Sequence, residues 1–373
     1  MLVWLVGAGH VRVSPAGLAL WLLMTAAAAL SALASESFSV AALLLFIVTY
    51  VLVIISRSQQ DSALGTAFFL GMVRGIKLGA LLGVMQWVLQ KAGFGFLDPF
   101  GALPSWMLRS GFNTYYDLQF SGGRAGEYKP NGVLFLEPSF LSLFTAIALI
   151  FCMHEMLRQR QSRKVLLDWF WIAVLAVALA VSASASGVVV IAAAALPLLV
   201  RSRKHFGYAL VLLLVALVAV QSGIFDAVLN KTQEDVLNPN TSAALRLVLP
   251  YELLTPYWLQ SPFVGLGPGA ASDAINELGR AGLQASTTMK LLVEYGLVGA
   301  TILTAIVIRA IWRTRAPGAL LAAIVAAWLI PAEALVNSTL VTLLVFVLPQ
   351  WGERDVAATD AQAFGNPPGD SAG

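Results

Sequence analysis

Long uncharged apolar runs constrain this chain more than any other feature. Residues 17–34, 39–55 and 208–222 contain no Asp, Glu, Lys or Arg, and they approach or reach the roughly 20 residues that cross a bilayer. The chain is 58% hydrophobic and only 12% charged, about half the charge fraction of an ordinary soluble domain, which is roughly 25%. A soluble fold cannot place so much apolar surface in its core. The one cysteine, Cys152, lies inside such a run and excludes an internal disulfide.

The hydropathy pattern predicts an all-α polytopic membrane protein with about ten spans. They fall at 16–34, 39–55, 66–89, 133–153, 166–183, 185–200, 207–223, 288–311, 318–336 and 338–350. Basic residues set the expected orientation. Arg158, Arg160, Arg163 and Lys164 fall in one connection, Arg201, Arg203 and Lys204 in another, and Arg309, Arg313 and Arg315 in a third. The alternating connections, around Glu36 and Ser184, are acidic or neutral. Cytoplasmic loops concentrate Lys and Arg, so both termini are expected inside. The first span ends on an Ala-x-Ala pattern, Ala32 and Ala34, as a signal peptide does. A second span follows within a few residues, and the first is read as an uncleaved span.

Two connections are long: about 91–132 and about 224–287, both expected on the periplasmic side. Loops of that length are functional or disordered, and their aromatic and apolar content argues against disorder. A short helix over 242–254 is expected near the interface. Residues 1–350 read as a single integral membrane domain, and 351–373 as a disordered cytoplasmic tail. In the third span Gly71, Gly75, Gly79 and Gly83 recur at intervals of four, a stripe that lets another helix backbone approach. Arg74 and Lys77 lie on the same span. An intramembrane cation needs water, a carboxylate or an anionic ligand, so Lys77 is a candidate for an anionic substrate group.

No His/Cys cluster, Walker loop, HExxH or GxSxG is present, which removes the usual signatures of zinc hydrolysis, ATP hydrolysis and triad acyl transfer. No outer-face Asp-x-Asp offers to hold a divalent cation with a sugar nucleotide. The expected chemistry needs no metal, no cofactor and no nucleic acid. What remains is an outer-face set of arginines and carboxylates: Arg109, Arg124, Glu127, Glu137, Arg246, Glu252, Asp273, Glu277, Arg280, Lys290 and Glu294. Arginine presents a planar fork that grips phosphate with paired hydrogen bonds. Glu137 and Glu294 each stand at the mouth of a predicted span. Pro138 suits the first turn of a helix, where Glu137 would serve as a cap, a base or an ion-pair partner.

Three stretches carry a resemblance. "NGVLFLEPSFLSLF" is similar to the Gly and Glu-Pro-Ser element of exopolysaccharide polymerases. "RLVLPYELLTPYWLQSPFVGLGPG" resembles an Arg, a short helix and a Pro-x-x-Gly-x-Gly turn, and "STTMKLLVEYGLVGATI" resembles a Glu-x-Gly-x-x-Gly span opening. In this order and topology they resemble the O-antigen ligase and polysaccharide polymerase superfamily, membrane glycosyltransferases of the GT-C type in the bacterial inner membrane. Where ligases carry His-Asn, this chain reads Ser286-Thr287, and the Glu-Pro-Ser element points toward polymerases.

The resemblance implies that glycans on undecaprenyl diphosphate are the substrates and that membrane lipids and other polysaccharide export proteins are partners. It implies Arg246 as the cation for the departing diphosphate, with Arg124 and Arg280 as further phosphate or acceptor contacts. A positioned carboxylate suits deprotonation of the attacking hydroxyl; Glu137 is the first candidate and Glu252 the second. Gly265 and Gly267 would bring backbone close to the ligand. Tyr251 and Trp258 would stack on sugars, a role that anchoring at the membrane interface rivals. Two other readings stay open: transfer of glycan to a lipid or protein acceptor as in the ligases, and a carrier or flippase for the same lipid-linked glycans.

Overall fold

The computed structural model describes residues 11–35, 38–57, 64–97, 128–135, 137–158, 165–182, 184–201, 249–279, 283, 285–314, 316–329, 335 and 337–351. The expected span at 207–223, most of the first long loop, nearly half of the second and the tail after Trp351 lie outside these. The described chain is helical, and four of its helices are long and apolar enough to cross a membrane: Pro15–Ala34, Ala67–Lys91, Pro138–Met156 and Thr287–Arg313. It divides into two compact units, one of Met1–Gly71, Leu245–Ala316 and Trp328–Gly373, the other of Met72–Ala244 and Pro317–Ala327.

The first unit begins with a strand the hydropathy does not announce. β1 (Val11–Val13) pairs antiparallel with β2 (Ile55–Arg57), Arg12 opposite Ser56. Between them runs a helical hairpin, α1 (Pro15–Ala34) and α2 (Val40–Tyr50). Each helix has a serine N-cap: Ser14 Oγ accepts from Gly17 N at 3.2 Å and Ser39 Oγ from Ala42 N at 3.2 Å. Such caps satisfy orphan N–H groups at helix starts. A 3₁₀ turn, Val51–Ile54, leads from α2 into β2, and Ser14 N donates to Ile54 O at 2.7 Å. The ladder therefore closes the open end of the hairpin.

The 27-residue α9 (Thr287–Arg313) runs antiparallel to α1. Near its end Arg309 donates from Nη2 to Ser14 Oγ at 2.6 Å and from Nη1 to Val53 O at 3.3 Å. Near its start the carbonyl of Glu294 accepts from Ser31 Oγ. One end of the unit thus holds Arg309, the ladder and the start of α1; the other holds Glu294, Ser31 and the α1–α2 turn. Inside, Tyr295 stacks on Phe46 with ring centroids 4.3 Å apart, and Tyr50 donates to Leu335 O at 2.9 Å. A helical run from Ser338 to Gln350 widens to π geometry over Leu343–Val347 before Pro349. Proline has no N–H to return to a carbonyl one turn back, and the run stops there. Asn337, one of three Asn-x-Ser/Thr matches, caps this run by accepting from Leu340 N at 3.1 Å.

The second unit centres on α4 (Pro138–Arg158), buried from Leu141 through Met153. A helix apolar all round belongs inside a bundle, and α4 packs on α5 (Val165–Val181) and α6 (Ala185–Arg201). Small residues set its closest approach to α6. Gly187 N donates to Ser142 Oγ at 3.2 Å, Ser142 Oγ to Ser184 O at 3.2 Å, and Ser186 Oγ to Ser139 O at 3.0 Å.

The glycine stripe of α3 (Leu64–Lys91) meets both a loop and the first turns of α4. A Cβ at Gly79 would lie 2.7 Å from the Phe135 ring, and one at Gly83 2.9 Å from Leu141, whereas Gly71 and Gly75 face nothing within 4 Å among the described residues. That loop also explains why α4 starts at Pro138 and not at 133. Gln86 of α3 holds it, accepting from Gly132 N at 2.8 Å and donating to Asn131 Oδ1 at 3.0 Å. Leu134 N donates to Gly132 O at 2.6 Å across Val133, whose φ is +62°.

The glycines give a contrast to measure. Gly187→Ala would push a Cβ into Ser142 Oγ and is expected to destabilise by about 1–3 kcal/mol, the usual cost of overpacking. Gly75→Ala has open space and is expected to be neutral or to stabilise by up to about 1 kcal/mol through helix propensity. Thermal unfolding of the two variants in detergent checks the ordering.

Candidate functional site

The second and third resemblance stretches meet in the first unit, at a break in α9. Gly296 has φ +60° and ψ −165°, a conformation open to glycine alone. The break leaves N–H groups on one side and carbonyls on the other without helical partners. The segment Pro262–Gly267 crosses there and supplies both. Leu297 N donates to Pro262 O at 2.9 Å and Val298 N to Phe263 O at 3.1 Å. In return Leu266 N donates to Val293 O at 2.7 Å and Gly267 N to Glu294 O at 3.2 Å. The approach is so close that both backbones need glycine. A Cβ at Gly296 would sit 2.5 Å from the Phe263 carbonyl, and one at Gly265 would sit 2.5 Å from the Glu294 carbonyl. The Pro-x-x-Gly-x-Gly turn and the Glu-x-Gly opening are two halves of one splice.

Three short elements hold the splice. α7 (Leu249–Gln260) enters it; α8 (Ala270–Glu277) leaves it after Gly269, whose φ is +97°. Leu254, Ala271, Ala274, Met289 and Val293 form the small core joining α7 and α8 to α9. The α1–α2 turn closes over the loop: Ser39 N donates to Pro268 O at 2.8 Å, and Gly267 lies against Ser35.

Glu294 stands two residues before the break, with 1% of its surface exposed. The backbone N–H groups of Gly269 and Ala271, at the start of α8, face its carboxylate. A helix N-terminus favours negative charge. Lys290 Nζ lies 3.9 Å from Oε1, and that oxygen has no hydrogen-bond partner among the described residues. A carboxylate, a lysine one turn before it and a helix N-terminus thus share one enclosed place. Such an arrangement suits holding an anionic group or relaying a proton. The i, i+4 spacing of Lys290 and Glu294 was visible in the sequence; their burial beside a broken helix was not.

The other expected site residues are distributed as follows. Glu252 is exposed in the first turn of α7, and Tyr251 is exposed beside it. Trp258 is half-buried, and its indole N–H donates to Pro262 O at 3.2 Å, closing the turn that leads into the splice. Gly265 and Gly267 are in the splice itself. Of the expected helix at 242–254, residues 249–254 belong to α7, which continues to Gln260, and 242–248 lie outside the described residues. Arg246, Arg124 and Arg280 lie outside the described residues, as does most of the first long loop.

In the second unit Glu137 immediately precedes α4. Its carbonyl accepts from Phe140 N at 3.2 Å and Leu141 N at 3.3 Å, and its Oε2 accepts from Ser139 Oγ at 2.8 Å. It therefore occupies the helix-start position expected of it. Lys77 sits elsewhere in the unit. Its ammonium lies 5.4 Å from the Trp171 ring centroid and within reach of the Cys152 thiol, with Asp168 and Glu155 adding negative charge nearby. Cys152 is 14 residues along α4 from Pro138, about 21 Å at helical rise. Among the described residues the partners of Lys77 are this cation–π contact and the thiol. Among the described residues no three His, Cys, Asp or Glu side chains gather as metal ligands do. The chain matches no protein-family model, no curated protein and no solved structure.

If the splice carries the fold of this site, its glycines act as a pair. Gly265→Ala and Gly296→Ala are each expected to cost about 1–3 kcal/mol in backbone strain. The double variant is expected to lose less than the sum, because residues in contact do not add. Denaturation of the three variants in detergent measures the coupling; full additivity would contradict it.

Proposed function

We propose that this chain is a membrane glycosyltransferase that polymerises oligosaccharide units carried on undecaprenyl diphosphate. In this reading it crosses the bacterial inner membrane about ten times, with both termini in the cytoplasm and the two long loops on the periplasmic side. The observation that carries the proposal is the interlocking of two stretches about thirty residues apart, both singled out by the resemblance, in one glycine-dependent splice. A motif pair that meets in space supports a common site better than either motif alone.

The chemistry assigns roles to the residues. A hydroxyl of the acceptor unit attacks the anomeric carbon of the donor while the bond from that carbon to the lipid diphosphate breaks. The hydroxyl proton passes to Glu137, with Glu252 as the other carboxylate candidate. The leaving diphosphate gathers negative charge, which fixed cations aimed at it stabilise; Arg246 takes that role, Arg124 and Arg280 assist, and Lys290 beside Glu294 joins the set. A second reading, a carrier for the same lipids, draws support from the break in α9, since discontinuous helices line transport sites.

Purified protein given lipid-linked repeat units tests the two readings. Longer chains formed without added nucleotide sugar support the polymerase; unchanged substrate moved across the bilayer supports the carrier. Arg246→Ala is expected to abolish chain growth while the protein remains in the membrane, and wild-type product lengths would remove Arg246 from the site. Glu137→Gln is expected to slow the reaction by about 10²–10⁴-fold, the usual contribution of a positioned base, with Glu137→Asp retaining part of it. A chelator is expected to leave the rate unchanged; loss restored by magnesium would overturn the metal-free scheme.

A further inference from the structure

The turn that enters the splice carries large apolar side chains that the protein leaves uncovered. Leu259, at the end of α7, is 60% exposed and Phe263 is 66% exposed. The splice sets Phe263 against α9, where Leu297 and Val298 are themselves 41% and 43% exposed. The four residues form an apolar surface continuous with the outer face of a helix long enough to span a membrane. An apolar patch of this kind marks an interaction site, and its continuity with that face identifies the occupant.

Depth agrees. α9 has 27 residues with the break at Gly296, and only the part after the break is a continuous helix to set against the roughly 30 Å hydrocarbon core. Gly296 lies 17 residues from Arg313, a separation of about 26 Å. With Arg313 at one boundary, the break and Phe263 fall at the other, and the 287–295 segment extends into the headgroup region. Glu252, exposed on the same face of α7 two turns before Leu259, carries a carboxylate that acyl chains would not accept. Burying Leu259 while keeping Glu252 at the headgroups requires α7 to tilt, its C-terminal end toward the acyl layer.

We propose that the end of α7 and the following turn insert Leu259 and Phe263 into the acyl layer, so that the partner of this surface is the lipid bilayer itself. The insertion holds Gly265–Gly269 and the Glu294–Lys290 pair at headgroup depth. A ligand of that site is then an amphiphile that presents its polar group at the interface, not a solute from the aqueous phase. The inference stands on exposure and depth, and it survives if the glycosyl-transfer reading fails.

Nitroxide labels test it in full-length protein reconstituted into phosphatidylethanolamine–phosphatidylglycerol vesicles. Single cysteines replace Leu259, Phe263 or Glu252 in a Cys152→Ser background. Labels at 259 and 263 are expected to be several-fold more accessible to oxygen than to an aqueous nickel chelate, and the label at 252 the reverse. Equal chelate access at 263 and 252 would overturn the insertion. The unmodified chain gives an independent readout that needs no variant to fold. A lipid with a diazirine near the top of its acyl chain is expected to label the peptide containing residues 259–263, and labelling confined to the spans would overturn the proposal.

Discussion

A helix that breaks inside a membrane protein must find new partners for its freed backbone groups, because lipid offers none. Each buried, unpaired N–H or C=O costs about 1–3 kcal/mol. At Gly296 the chain meets that cost by bringing Pro262–Gly267 across the gap, two amides accepted on one side and two carbonyls on the other. The geometry tolerates no Cβ at Gly265 or Gly296. Much of the first unit follows from it: where α7 ends, where α8 begins, and why Glu294 is held beside the α8 N-terminus and not in water.

The opposite end of the same unit is held by different means. Arg309 reaches the cap of α1 and the turn after α2, and the three-residue β ladder ties the hairpin closed. α1 and α9 are thereby pinned at both ends, by a cation at one and by the splice at the other. The second unit relies on close packing of small residues, serines and Gly187 between α4 and α6, and on Gln86 gripping the 131–132 backbone.

Hydropathy made the helical framework legible. α1, α3, α5 and α6 fall within a few residues of the expected spans because long apolar runs have few other solutions. The break in α9 was hidden for the same reason: "LLVEYGLVGATIL" remains apolar on both sides of Gly296, so composition reads straight through it. The β ladder leaves no sequence signal because three residues carry too little periodicity. The glycine stripe is visible, but spacing does not show that its partner is part loop and part helix. Of the splice, the Gly265–Gly267 turn and Glu294 at a span mouth are legible from residue chemistry. The pairing of Glu294 with Lys290 is not, since i, i+4 charge pairs are common on exposed helices and only the fold shows this one enclosed.

The reciprocal bonding at Gly296 holds this site together, and site-resolved hydrogen exchange on the reconstituted protein tests it most directly. The amides of Leu266 and Gly267 belong to a glycine-rich loop, yet here they donate to the carbonyls of Val293 and Glu294. They are expected to exchange as slowly as the interior amides of α9. Exchange at the rate of an open loop would contradict the splice and everything built on it.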